Sequence, residues 1–235
     1  MKYTTDILSE IQTWCHYADP PTPPVEEIEY GALYNWYAAT DVREITSVGW
    51  HIPTHTERDT LLTYLGGDLV AGGKLKEIGT TYWNSPNTGA TNEVGFNGKG
   101  SGIRGGIGGS FSGFNTGAFY WFSDAYDANN AYYFSMSYSV ERVWTGWVQP
   151  LTSGYSLRPI KDSTTLSHGE TGTYTDPSGY IYRTICIGTQ EWVVDNIKTE
   201  HYRTGDAIPV VTDNGDWAAL ITGAMCYYNN DISNV

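Results

Sequence analysis

Residues 49–67 read GWHIPTHTERDTLLTYLGG, the clearest local signal in the chain. Thr54 offers its hydroxyl to the first turn of a helix, and Glu57, three residues on, returns a carboxylate to the Thr54 backbone, which makes a capping box. Leu61, Leu62 and Leu65 supply one apolar face. Gly66 and Gly67 then stop the helix, because glycine takes up the left-handed conformation at no steric cost. Upstream, YGALYNWYAAT (30–40) reads as a second short helix of interleaved aromatic and small residues. Downstream, helix signals fade. From about residue 80 to 130 the chain is Gly, Asn, Ser and Thr punctuated by aromatics, including GKGSGIRGGIGGSFSGF (98–114). Strand-like runs follow at 131–140, 142–150, 154–160, 180–197 and 224–230. This pattern predicts an α+β domain with two short helices, a small, mostly antiparallel sheet and long loops packed on themselves.

The N-terminal stretch has a different character. Residues 4–17 place Ile7, Ile11 and Trp14 on one face, as an amphipathic helix does. Such a short helix is marginal alone, so its apolar face calls for a partner. The segment ADPPTPPVEEIE follows, with Pro20, Pro21, Pro23 and Pro24 making a semi-rigid spacer. We divide the chain into an anchor helix at 1–18, a proline-rich spacer at 19–29 and the body at 30–235.

Composition narrows the classes. Of 235 residues, 26 are Asp or Glu and 13 Lys or Arg, for a net charge of −13. That balance argues against nucleic acid, whose phosphates require cations. No apolar run is long enough for membrane insertion, and the N-terminus has no apolar stretch of the secretory kind. Three cysteines, Cys15, Cys186 and Cys226, are too few and too scattered for a zinc site or a disulfide framework; the last two lie in apolar runs and read as buried thiols. The 27 Gly, 19 Tyr and 9 Trp set a loop-rich, aromatic protein apart from a helical bundle.

Long ordered motifs carry a family resemblance. GALYNWYAA (31–39), GWHIPTHTERDTLLTYLGG (49–67), AGGKLKEIGTTYWNSPNTGATNEVGFNGKGSGIR (71–104), WFSD (121–124) and GYSLRPIKD (154–162) resemble, in order, the later part of the Fibrobacter succinogenes major paralogous domain. TDPSGYIYRTICIGTQEWVVDNIKTEHYRTGDAIP (175–209) and MCYYNND (225–231) resemble its beginning. The resemblance implies a C-type-lectin-like fold, with Trp36, Trp50, Trp83, Trp121 and Trp192 in its core. Because the order is reversed, the chain reads as a circular permutant. In it, 30–162 is the family's C-terminal part, 163–171 a polar linker and 172–235 the family's N-terminal part. The old ends would then meet, with Val235 near Glu29. Exchange of 163–235 with a neighbouring subunit is the alternative.

For chemistry the motifs are sparse. The family's formylglycine-generating relatives use reactive cysteines, but Cys186 and Cys226 sit in core-like strands. His51 reads as a structural, hydrogen-bonded residue of the turn before the helix. GGIGGS (105–110) precedes aromatics rather than a helix and reads as loop, not a phosphate cradle. Asn229, Asn230 and Asp231, and likewise Asp213, Asn214 and Asp216, offer oxygens for calcium, but such clusters are usually turns and no metal is assigned. No cofactor is expected.

Binding is the stronger expectation. The resemblance puts the ligand surface between WFSD and GYSLRP, where Tyr, Ser, Asn and Trp abound as they do in antibody paratopes. Tyr126, Asp127, Asn129, Asn130, Tyr132, Trp144 and Trp147 form the candidate ligand-binding set. With no export signal read, the expected setting is a phage virion, folded in the host cytoplasm. The chain would attach to a virion structural protein through 1–18 and would be homo-oligomeric, with a trimer favoured. It would recognise a host surface glycan or protein. A bacterial cell-surface adhesin is the alternative, and a carbohydrate-active or modifying enzyme the third reading.

Overall fold

The computed structural model describes residues 30–235, so the anchor helix, the spacer and Cys15 lie outside the described residues. The stretch read as a first helix divides in two. Leu33–Tyr34 is strand β1, and only Trp36–Ala39 forms a helix, α1. The Asn35 side chain explains the break, since its Oδ1 accepts the N–H of Ala38 (3.0 Å) as an N-cap and also the N–H of Ala224 (3.0 Å). Strand β2 (Trp50–His51) leads into helix α2 (His55–Tyr64), where the capping box forms as expected. Thr54 Oγ1 accepts from the Glu57 N–H at 3.2 Å, and Glu57 Oε2 from the Thr54 N–H at 2.8 Å.

Helix signals do not end at Gly67. Helix α3 (Asp68–Leu75) follows at once, and α4 (Asn214–Ala218) comes late, so four short helices replace the expected two among the described residues. The Gly72-Gly73 pair that hides α3 from a propensity argument is there for packing. A Cβ would lie 2.6 Å from the Arg142 carbonyl at the first and 2.4 Å from that of Gly89 at the second. The glycine-rich stretch read as loop also contains three strands: β3 (Ser101–Arg104), β4 (Phe111–Phe114) and β5 (Gly117–Ala125). The first two form a hairpin whose connection is 105–110, which is loop as expected. Gly102 sits at φ +67° with the Tyr228 ring over it, and only glycine fits there.

The remaining strands are β6 (Asn130–Ser137), β7 (Val143–Pro150), β8 (Ile160–Lys161), β9 (Thr171–Thr175), β10 (Ile181–Ile187), β11 (Gln190–Val193) and β12 (Met225–Cys226). All strand pairs are antiparallel, and they build sheets ordered β1-β12, β2-β8-β11-β10-β9, β3-β4 and β5-β6-β7. The five-stranded sheet draws β2 and β8 from before the 163–171 segment and the other three from after it. The ends of the described chain are linked by a short run of contacts. The Tyr30 ring lies 4.5 Å from Phe114, Phe114 stacks on Tyr228 at 4.5 Å, and the Tyr228 carbonyl accepts from Asn234 Nδ2 at 2.9 Å.

Two hydrophobic clusters lie on either side of the β5-β6-β7 sheet. Trp121, Tyr133 and Tyr155 belong to one, and Tyr120, Phe122, Phe134 and Met136 to the other. Trp50, Trp83, Trp121 and Trp192 are buried, but Trp36 is half-buried and donates Nε1–H to the Phe122 carbonyl at 2.9 Å.

Long loops need fastening, and three buried cations supply it. Lys76 Nζ donates to the carbonyls of Thr88 (2.8 Å), Ser137 (2.9 Å) and Val140 (2.9 Å). Arg158 donates to Asn196 Oδ1 and to the carbonyls of Phe96 and Asn97. Arg104, 0% exposed, donates Nε–H to the Gly109 carbonyl (2.9 Å) and its Nη groups to Val211, Thr212 (2.8 Å), Asp213 (3.0 Å) and Asn214. A buried carbonyl without a donor is costly, so each cation acts as the cap its loops lack.

Candidate binding surface

The seven candidate residues fall into three groups rather than one. Three build the β5–β6 turn. Asp127 Oδ1 accepts the N–H groups of Asn129 (2.7 Å) and Asn130 (2.8 Å) and a further bond from Asn130 Nδ2 (3.0 Å). These hydrogen bonds hold the Asp127 carboxyl below its ordinary value. The Asp127 and Asn130 side chains are thus engaged by the turn, an Asx arrangement, and the Asn129 carbonyl accepts from the Leu151 N–H at 3.0 Å.

Tyr126 and Tyr132 make a second group. Their rings meet edge to face at 5.5 Å, and Tyr132 also lies 5.1 Å from the His55 ring at the start of α2. Tyr132 pairs with Val148 and so points to the opposite side of the sheet from Tyr133.

Trp144 and Trp147 form the third group, on the edge strand β7. Residues three apart in a regular strand face opposite ways, yet these two share a face. Trp147 pairs with Tyr133 and Trp144 with Ser135, and the register shifts between those pairs. Gly146 at φ +76° absorbs the extra residue, which makes this a β-bulge. The result is a row across three strands, Trp121–Tyr133–Trp147, whose exposure climbs from 1% through 7% to 57%. Trp144 begins a second exposed position at 37%, with the Arg142 guanidinium 4.3 Å from its ring centre. Arg142 is a surface partner that the sequence did not single out; its Nη2 is held by Asp68 at 3.0 Å. Alternation alone would have split the tryptophans, and the glycine between them was the available clue.

Two concave surfaces among the described residues lie away from the tryptophans. One is lined by Thr60, Tyr64, His168 and Gln190, and another by Asp41, Glu44, His51 and Ser123. The tryptophans protrude, an arrangement suited to stacking on a flat partner rather than enclosing a small molecule.

Residues weighed for chemistry take structural places. Cys186 and Cys226 are buried free thiols; burial raises both, Cys226 to about 12, so neither is poised as a thiolate. Asp213 caps α4 by accepting the N–H groups of Gly215 (2.7 Å) and Asp216 (2.9 Å). Asn229 and Asn230 take positive φ in a tight turn, and Asp231 accepts from Ser233. Among the described residues, no group of three or more His, Cys, Asp or Glu is arranged to hold a metal.

His51 bridges two carboxylates, with Nδ1 2.6 Å from Asp162 and Nε2 2.9 Å from Glu57. The Glu57 bond raises the imidazole above its ordinary 6.5, against partial burial and with help from Asp162. Burial alone would raise Glu57, but bonds from His51 and Thr54 outweigh it and hold the carboxyl at about 2. The signs fix a pH window. The His51 contribution is fully present below 6.5 and fades as pH rises through the elevated folded value. The Glu57 contribution is present above 4.5 and fades as pH falls toward about 2. Replacing His51 with Gln should therefore cost most stability between those limits and least at alkaline pH, as read from urea midpoints across the range. An equal cost at every pH would contradict the ionic clamp.

The described residues form an antiparallel α+β domain with exposed aromatic residues on the edge strand β7. The model of the Fibrobacter succinogenes major domain matches residues 3–161, and the chain belongs to that family. No curated protein and no solved structure matches it significantly.

Proposed function

We propose that the chain is a non-enzymatic binding module, displayed on a phage virion, that recognises a host surface glycan or protein. The observation that carries the binding reading is the pair of tryptophans brought onto one face of β7 by the bulge at Gly146. Tryptophan buried in the free protein would be core. Here a 57%-exposed ring ends a row of buried ones, so the exposed member is rigidly held and already desolvated on one side. Tyr126 and Tyr132, around the hairpin tip, would widen the footprint, while Asp127, Asn129 and Asn130 hold the tip in shape.

The virion setting draws on the sequence of 1–29, an amphipathic stretch followed by a proline spacer, which suits attachment to a virion structural protein at a distance from the body. A homo-oligomer, with a trimer favoured, would multiply weak contacts. We further propose that the fold is C-type-lectin-like and circularly permuted at 163–171. The supporting observations are the shared five-stranded sheet and the contact run from Tyr30 to Asn234.

The test is binding of the purified full chain to intact host cells, with a Trp144→Ala/Trp147→Ala variant alongside. Undiminished binding by the folded variant would remove the site. Antibody labelling of purified virions tests the display separately; unlabelled particles would leave a binding module without this setting.

A further inference from the structure

We propose that Lys99 and Asp195 condense into an intramolecular isopeptide bond, with Glu77 passing the proton that the reaction needs. Lys99 Nζ lies 3.3 Å from Asp195 Oδ1, and their side chains are only 10% and 6% exposed. The ammonium sits 4.5 Å from the centre of the Tyr82 ring, so one wall of the pocket is aromatic. The Glu77 backbone runs beside the Lys99 segment, its N–H donating to the carbonyl of Gly98 at 3.0 Å. Burial raises the Glu77 carboxyl above its ordinary value, with Lys99 opposing and Asp195 reinforcing the shift, so the three groups act on one another. An amine and a carboxyl in contact and nearly buried, with a partly buried acid acting on both, are the components of amide formation.

The pairs Lys74–Glu93 and Lys161–Glu191 lack this combination. Lys74 and Glu93 also stand 3.3 Å apart, but they are 32% and 56% exposed and stay solvated. Lys161 reaches Glu191 at 3.0 Å with the lysine 36% exposed, and hydroxyls of Thr164 (2.6 Å) and Thr184 (2.8 Å) already hold that carboxylate in its charged form. Among the described residues, the Asp195 carboxylate accepts a hydrogen bond from Lys99 alone.

The step balances without a co-reactant. A proton moves from Nζ to the Asp195 carboxylate, leaving a neutral amine beside a neutral acid. The Nζ lone pair attacks Cγ, a C–N bond forms and a C–O bond breaks. Glu77 gives a proton to the departing oxygen, which leaves as water, and recovers one from the nitrogen. Free amines and acids do not condense in water, but groups held in contact react at effective concentrations of roughly 10⁵ M or more. The bond would join the two stretches of sequence that share the five-stranded sheet. It would reinforce the domain covalently while both described cysteines remain thiols.

Mass spectrometry of the denatured full chain decides the matter. The expected mass is one water below that of the sequence, and fragmentation should give a branched peptide joining Lys99 to Asp195. Lys99→Arg and Glu77→Gln, each checked for folding by circular dichroism, should keep the full mass. Asp195→Asn should lose ammonia in place of water. A folded wild-type chain at full mass overturns the proposal whatever the variants do. So does a water loss confined to one unbranched peptide, which marks a cyclised aspartate instead. Complete cross-linking of Glu77→Gln would overturn the part assigned to Glu77.

Discussion

Replacing Arg104 with methionine should lower the unfolding free energy by about 4 kcal/mol, the scale expected when several buried acceptors lose one shared donor. The side chain is fully buried between the rings of Phe111 (5.0 Å) and Trp217 (4.4 Å), and its five N–H groups meet four carbonyls and the Asn214 amide oxygen. Methionine preserves most of the volume, so the loss comes from acceptors left dry rather than from a cavity. For a domain of this size the melting temperature should fall by roughly 8 to 16 °C. Lysine should rescue little, because a compact ammonium cannot reproduce the planar fork of donors. A melting temperature within a degree or two of wild type would mean that water replaces the guanidinium freely and that this loop fastening is incidental.

The Trp144→Ala/Trp147→Ala variant should separate binding from stability. Aromatic residues at the centre of an interface typically cost about 2 kcal/mol each on truncation. If the two add, affinity for intact cells should fall roughly a thousandfold. Stability should move less than binding, by about 1 to 2 kcal/mol, since the rings are 37% and 57% exposed in the free chain. Trp147→Ala alone should account for at least half of the binding loss, because Trp147 is the more exposed ring and ends the aromatic row. Trp144→Ala also releases Arg142, which remains tied to Asp68. Titration of fluorescently labelled protein onto cells, paired with thermal melts, measures both quantities. A parallel fall in binding and melting temperature would make the rings structural and the binding surface something else.

The capping box of α2 was legible because its signal is local: two side chains three residues apart satisfy each other's backbone. The buried cysteines and the β6 and β7 strands were legible for the same reason, whereas the cluster read as a turn at Asp213 caps helix α4. What escaped depended on contacts between distant segments. Strands β3 and β4 (SGIR and FSGF) are half glycine and serine, and they pair because other parts of the chain lie against them, as Tyr228 lies on Gly102. Helix α3 survives two glycines because the backbones of Gly89 and Arg142 require them. The candidate site shows the same division. Sequence indicated the right window for exposed tryptophans, but not that a bulge would put them on one face. Nor did it indicate that Asp127 and Asn130 would be engaged by their own turn, which is a matter of hydrogen-bond geometry rather than composition.

The pairing of β1 with β12 has a consequence for how the protein is made. The Asn35 side chain caps one helix turn and also receives the Ala224 N–H from 189 residues further on. At roughly 5 to 20 residues per second, a ribosome takes about ten seconds or longer to deliver that second partner. Throughout that interval β1 lacks β12, and for part of it β8 waits for β11, so the nascent chain carries open edges. The domain therefore closes late, near the end of its synthesis. Its yield in a cell should depend on whatever shields those edges during translation more than on the stability of the finished fold.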